Sequence, residues 1–171
     1  FHLKFENSGN LGLDSSGQSN NFTTNGNLKQ SLDTPSNNHA TLNPLDYSPN
    51  PATLQNANTT YNKSSTGSGH NATMTGTLGV MTGKWYFEFK ETSGSAFNVG
   101  MVRTNHDAPN SEGYYATDSG SYAITNSGKI VGGSSSSVSY SHSTNDIFGM
   151  AYDLTNGKFY VHVNGTYLTS G

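Results

Sequence analysis

The sequence predicts an all-β protein: an antiparallel β-sandwich carrying an irregular N-terminal arm. Three observations carry the prediction. Asn, Ser and Thr make up 65 of 171 residues and Gly another 20, whereas Lys, Arg, Asp and Glu together number 19. That composition suits strands joined by hydrogen-bonding turns and disfavours helices, which want Ala, Leu, Glu and Lys. Apolar content is concentrated in 10 Tyr and 8 Phe, and these fall in short runs of period two. Turn signals recur at the spacing of roughly 8–12 residues that marks about eleven short strands of a sandwich.

The clearest stretch is 146–165. Ile147, Gly149 and Ala151 alternate with Phe148, Met150 and Tyr152. Neither face is strongly polar, so this strand is expected to be covered on both sides or partly covered on its outer face. Asp153 to Gly157 forms a turn, with Asn156-Gly157 tolerating positive φ. Phe159, Val161 and Val163 then alternate with Tyr160, His162 and Asn164, and a second Asn-Gly closes the run. A lone hairpin is marginal in water, so it requires a surrounding sheet. A second run, residues 84–90, puts Trp85, Phe87 and Phe89 on one face and Tyr86, Glu88 and Lys90 on the other. Three aromatics on one face indicate a core, with Trp85 expected inside it.

These stretches, GKWYFEF at 83–89, AFNVGMV at 96–102 and DIFGMAYDLTNGKFYVHVNG at 146–165, resemble the SPRY domain of the concanavalin-A-like β-sandwich group. The resemblance spans residues 39–165. DTPSNNHATLNPL at 33–45 is similar to linkers that precede SPRY-like domains in tailed-bacteriophage virion proteins. Asn145 stands where the family usually has Gly. A further C-terminal strand is also expected beyond Gly171, so the sandwich is expected to be truncated there. The resemblance implies an arm and linker over 1–38 and a SPRY-like sandwich over 39–171.

The remaining elements follow in order. Phe1, Leu3 and Phe5 alternate with His2 and Lys4, a short first strand. Residues 7–27 are turn formers with Leu11, Leu13 and Phe22 as isolated anchors, an irregular docked arm. Residues 14–20 invite a calcium reading but lack the spaced carboxylates of a calcium loop. Strands are expected at 39–45, within 52–62, at 72–80 and at 96–102. Residues 103–113 are a long polar loop, and Tyr122-Ala123-Ile124 follows another turn. Short strands are expected at 128–131 and from 138 to 142, separated by a loop at 132–137.

Several function classes are disfavoured. Net charge is −3, with eight scattered Lys and Arg, so neutralisation of a nucleic-acid backbone is not expected. No apolar run is long enough to span a bilayer, and membrane insertion is not expected. Cysteine is absent, which removes disulfides and thiolate sites. Five Asn-x-Ser/Thr sequons occur, at Asn21, Asn58, Asn62, Asn71 and Asn164, and chance supplies several in so Asn-rich a chain. The eleven carboxylates sit mostly in turns, and no two share a strand at glycosidase spacing. The six histidines show no metal-ligand spacing. The sequence therefore predicts no enzyme, no cofactor and no metal.

Binding remains. Loops at one end of a sandwich commonly hold ligands, and the richest loop carries Arg103, Asn105, His106, Asp107, Asn110, Tyr114 and Tyr115. These residues are the sequence-level ligand-binding candidates, a role that the resemblance also implies for such loops. The expected function is a virion structural or adhesion module of a bacteriophage: a fibre, spike or head-decoration protein on the virion surface. Its expected partners are other virion proteins and a host-surface glycan or protein, with the chain in a homo-oligomer. The alternative is a carbohydrate- or protein-binding module of a secreted or cell-surface bacterial protein.

Overall fold

A computed structural model describes residues 1–26, 28–30, 36, 38–47, 52–63, 73–93, 96–103, 120–131, 134–136 and 138–168. Twelve strands are seen among them. They are β1 (Leu42–Tyr47), β2 (Thr53–Gln55), β3 (Thr60–Asn62), β4 (Met74–Gly76), β5 (Lys84–Lys90), β6 (Asn98–Met101), β7 (Tyr122–Thr125), β8 (Gly128–Val131), β9 (Ser134–Ser136), β10 (Ile147–Asp153), β11 (Lys158–Val163) and β12 (Thr166–Tyr167). Every pairing is antiparallel. Two four-stranded sheets, ordered β12-β11-β10-β5 and β6-β7-β8-β9, are accompanied by the pairs β1-β4 and β2-β3. No described helix is long and apolar enough to cross a membrane.

The period-two pattern sets the core. Phe148, Met150 and Tyr152 of β10 and Phe159 and Val161 of β11 form a buried cluster with Ile124 of β7. Phe87 and Phe89 of β5 pack against it from one sheet, and Val99, Met101 and Tyr122 from the other, so the two sheets meet face to face as in a β-sandwich. Register aligns the aromatics: Phe148 lies opposite Phe89 and Tyr152 opposite Phe159. Phe89 and Phe148 stack at 4.8 Å, with Phe97 edge-on to both. Tyr152 donates its hydroxyl hydrogen to the Tyr122 carbonyl at 2.9 Å, satisfying the one polar atom its ring buries.

The turns match their residues. Asn156 donates its backbone N–H and its amide to the Asp153 carboxylate, at 3.1 and 2.8 Å, and closes the β10–β11 connection. Asn164 and Gly165 both have positive φ (49° and 85°) and join β11 to β12 through a two-residue turn. Asn145 adopts φ 80°, a region that glycine fills freely and Asn tolerates.

Several expectations are corrected. Trp85 does not lie in the core: it is 45% exposed, and its indole N–H donates to the Thr82 carbonyl at 2.7 Å. It shares a face with Phe87 and Phe89, but it sits near the start of an edge strand, and its indole turns back to the Thr82 carbonyl. Residues 134–136, expected as loop, form β9, because serine backbones pair with β8 regardless of their side chains. Residues 138–142, expected as strand, are irregular, and Tyr140 packs on the core from there. The N-terminal alternation yields one bridge, Leu3 with Asp14, and no strand. The expected strand at 52–62 is a hairpin, β2–β3.

Candidate functional site

Of the loop residues singled out from the sequence, Arg103 is described. It is exposed after β6, and its side chain lies over Gly120, where an added Cβ would overlap it. Asn105, His106, Asp107, Asn110, Tyr114 and Tyr115 lie outside the described residues. The structure assembles a different group, on the outer face of the β12-β11-β10-β5 sheet.

The geometry follows from register. Gly149 of β10 lies opposite Glu88 of β5 and His162 of β11, and His162 lies opposite Tyr167 of β12. One row therefore reads Glu88, Gly149, His162, Tyr167 across four strands. Gly149 offers no side chain, and Tyr86, one step along, reaches over the gap. Its hydroxyl donates to Glu88 Oε1 at 2.5 Å and lies 2.8 Å from His162 Nε2. The Gly165 N–H donates to His162 Nδ1 at 3.1 Å. With Nδ1 accepting, the ring proton of the neutral imidazole belongs on Nε2, so a directed chain runs from imidazole to phenol to carboxylate. The Tyr86 and His162 rings stand 5.9 Å apart and 23° from parallel, and Tyr167 meets His162 edge-on at 5.3 Å.

Gly149 is a requirement of this arrangement. A Cβ there would overlap His162 Nε2 and Cε1 and the Tyr86 hydroxyl. The glycine is itself buried beneath them, which is why β10 carries no strongly polar outer residue yet presents a polar surface. Tyr86 and Tyr167 remain 52% and 56% exposed, so their rings are available to a ligand. The hydrogen bond to Glu88, with burial second, pushes the Tyr86 phenol up to about 12. At neutral pH Tyr86 keeps its proton and donates it to Glu88.

Two other polar clusters serve the scaffold. His142 Nδ1 lies 2.8 Å from Glu91 Oε2, and since a carboxylate only accepts, the imidazole donates. Phe97, Tyr140 and Phe148 surround that imidazole at 5.3 to 5.8 Å. Burial, with Glu91 nearby, pushes the Tyr140 phenol up to about 12. In the arm, the Asp14 carboxylate accepts from the N–H groups of His2, Ser16 and Asn20 and from the Ser16 hydroxyl, all at 2.8–2.9 Å. The His2 and Ser16 bonds hold its pKa well below the usual carboxylate range. Its oxygens face donors from four sides, so it ties a loop together and offers no cation site. Among the described residues no three His, Cys, Asp or Glu side chains are placed to share a metal ion.

The fold and this face define an all-β scaffold with a solvent-facing aromatic–carboxylate–imidazole cluster. Comparison with known proteins finds no protein-family model and no curated protein that matches the chain.

Proposed function

We propose that the chain is a non-enzymatic structural and adhesion module of a bacteriophage virion, a fibre, spike or head-decoration domain, built on a SPRY-like sandwich. The SPRY-like reading is supported by where its signature stretches fall: GKWYFEF and DIFGMAYDLTNGKFYVHVNG occupy the adjacent strands β5, β10 and β11, and AFNVGMV faces them on β6. The observation that carries the binding role is the preassembled cluster of Tyr86, Glu88, His162 and Tyr167 on a sheet face, half-exposed over a rigid core. A site on paired strands holds its geometry better than one on loops. The cluster supplies one carboxylate where glycoside hydrolysis uses two, which supports binding over catalysis. Repeated copies on a particle would raise weak contacts to firm attachment.

The test is to image native particles from the source with an antibody raised against residues 39–171, and to measure attachment of the purified chain to host cells. Multi-copy labelling of a particle together with saturable cell attachment is the expected result. A chain found only free in solution or anchored to a cell envelope overturns the virion assignment.

A further inference from the structure

We propose that the outer-face cluster is a saccharide site, taking the uncharged pyranose ring of a surface glycan against Tyr86 and Tyr167, with Glu88 accepting from its hydroxyls. This inference rests on the adhesion reading and names the ligand of the same face.

Three features select the ligand class. First, Tyr86 and Tyr167 each leave about half their surface to solvent beside an imidazole. Flat rings with polar tips suit a ligand that is apolar on one side and polar at its rim, which describes a pyranose with C–H faces and equatorial hydroxyls. Second, the rim is mixed. Glu88 is an acceptor, and Lys90 stands two residues along the same face of β5, so a hydroxyl that both donates and accepts finds a partner for each function. Third, the rim's charges are balanced. Lys90 attracts an anionic sugar or phosphate that Glu88 repels, and Glu88 attracts a cationic headgroup that Lys90 repels. A neutral polyol uses both groups as hydrogen-bond partners with no charge penalty.

The bare Gly149 has a role in this reading. Because no side chain rises there, Tyr86 and His162 reach over the glycine and join through their polar atoms. The result is a polar pair with its hydrogen-bond direction set before the ligand arrives, which lowers the ordering cost of a weak contact.

The test is saturation-transfer NMR on the whole chain with methyl glucoside, methyl galactoside, methyl mannoside and N-acetylglucosamine as probes, and N-acetylneuraminic acid and choline as charged comparators. Transfer to at least one neutral pyranoside and little to the comparators is expected. Tyr86→Ala and Tyr167→Ala are each expected to weaken that binding about tenfold, the loss of one ring contact. Gly149→Ala keeps both aromatic side chains and forces their polar ends apart. It is expected to weaken binding while the melting curve stays cooperative, since the atoms it displaces are the tips of flexible side chains. The inference is overturned if no neutral pyranoside shows transfer, if choline or the acidic sugar binds as well, or if all three folded variants bind like the original. If the variants still attach to host cells as the parent does, the saccharide site falls and the adhesion reading stands. If pyranosides bind but the chain is not on a particle, the virion reading falls and the site stands.

Discussion

The two faces of β10 are built from alternate residues of one seven-residue strand, and they carry different burdens. Inward, Phe148, Met150 and Tyr152 are sealed at 0–2% exposure, and Phe148 and Tyr152 stack on aromatic partners from β5 and β11. Outward, Ile147, Gly149 and Ala151 are small or apolar, and the polar groups above them come from the neighbouring strands. Stability is concentrated on the first face and recognition chemistry on the second. The difference teaches that a strand can host a site by leaving space for its neighbours, without supplying a functional side chain of its own.

The contrast can be broken at its strong end first. Phe148→Ala empties the centre of the aromatic stack and is expected to cost about 3–5 kcal/mol in denaturant unfolding. A loss under about 1 kcal/mol would show that the inner face is not the core. Glu91→Ala leaves the part-buried His142 imidazole without its acceptor and is expected to cost about 2 kcal/mol; an unchanged midpoint would show the pair to be dispensable. Trp85→Ala, on the inner face but at the open end of β5, is expected to cost only about 1–2 kcal/mol. A loss equal to that of Phe148→Ala would return the indole to the core.

Two tyrosines sharpen the comparison without a change in stability. Tyr86 and Tyr140 are both pushed up to about 12, the first chiefly by its bond to Glu88 and the second chiefly by burial. In an ultraviolet phenolate titration, Glu88→Gln is expected to return Tyr86 toward the usual value of about 10 while Tyr140 stays high. If both move, or neither does, the causes are misassigned. The smallest effect is expected in acid. Asp146 and Asp153 have lowered pKa values, the first mainly from the Asn164 amide and the second mainly from the Asn156 amide. Because the unfolded chain takes up these protons first as pH falls, their stabilisation is complete above about pH 4 and drains away below it. Amide protection at the β10–β11 and β11–β12 turns, taken relative to the intrinsic exchange rate, is expected to fall over that window before protection at Met150 does. Simultaneous loss would mean that the turns and core open as one unit.

Legibility from sequence followed the same division. The hairpin β10–β11 was readable because period two and two Asn-Gly pairs act locally. Trp85 was misplaced because alternation gives the face a side chain points to and not how far along an edge strand the core extends. β9 was missed because serine runs carry no side-chain pattern, while the ladder is made by backbone. The resemblance to SPRY domains remains an inference from those same stretches. The outer-face cluster joins residues 76 positions apart, and only the three-strand register brings Tyr86 to His162. Its signals, a Tyr and a Glu two apart on β5 and a lone His on β11, each read as ordinary solvent-face residues. The loop at 103–115, where the sequence placed its ligand residues, lies mostly outside the described residues.

Gly149 also sets what selection can see. In a central strand, glycine is worse than alanine by roughly 0.5–1 kcal/mol, from backbone entropy and lost packing. A Cβ here recovers that cost but displaces the Tyr86 hydroxyl and His162 Nε2, so a library chosen only for folding would tolerate alanine at this position, and one chosen for attachment would keep the glycine. The position separates the two demands, so the frequency of Gly149 among survivors measures which of them a given screen has imposed.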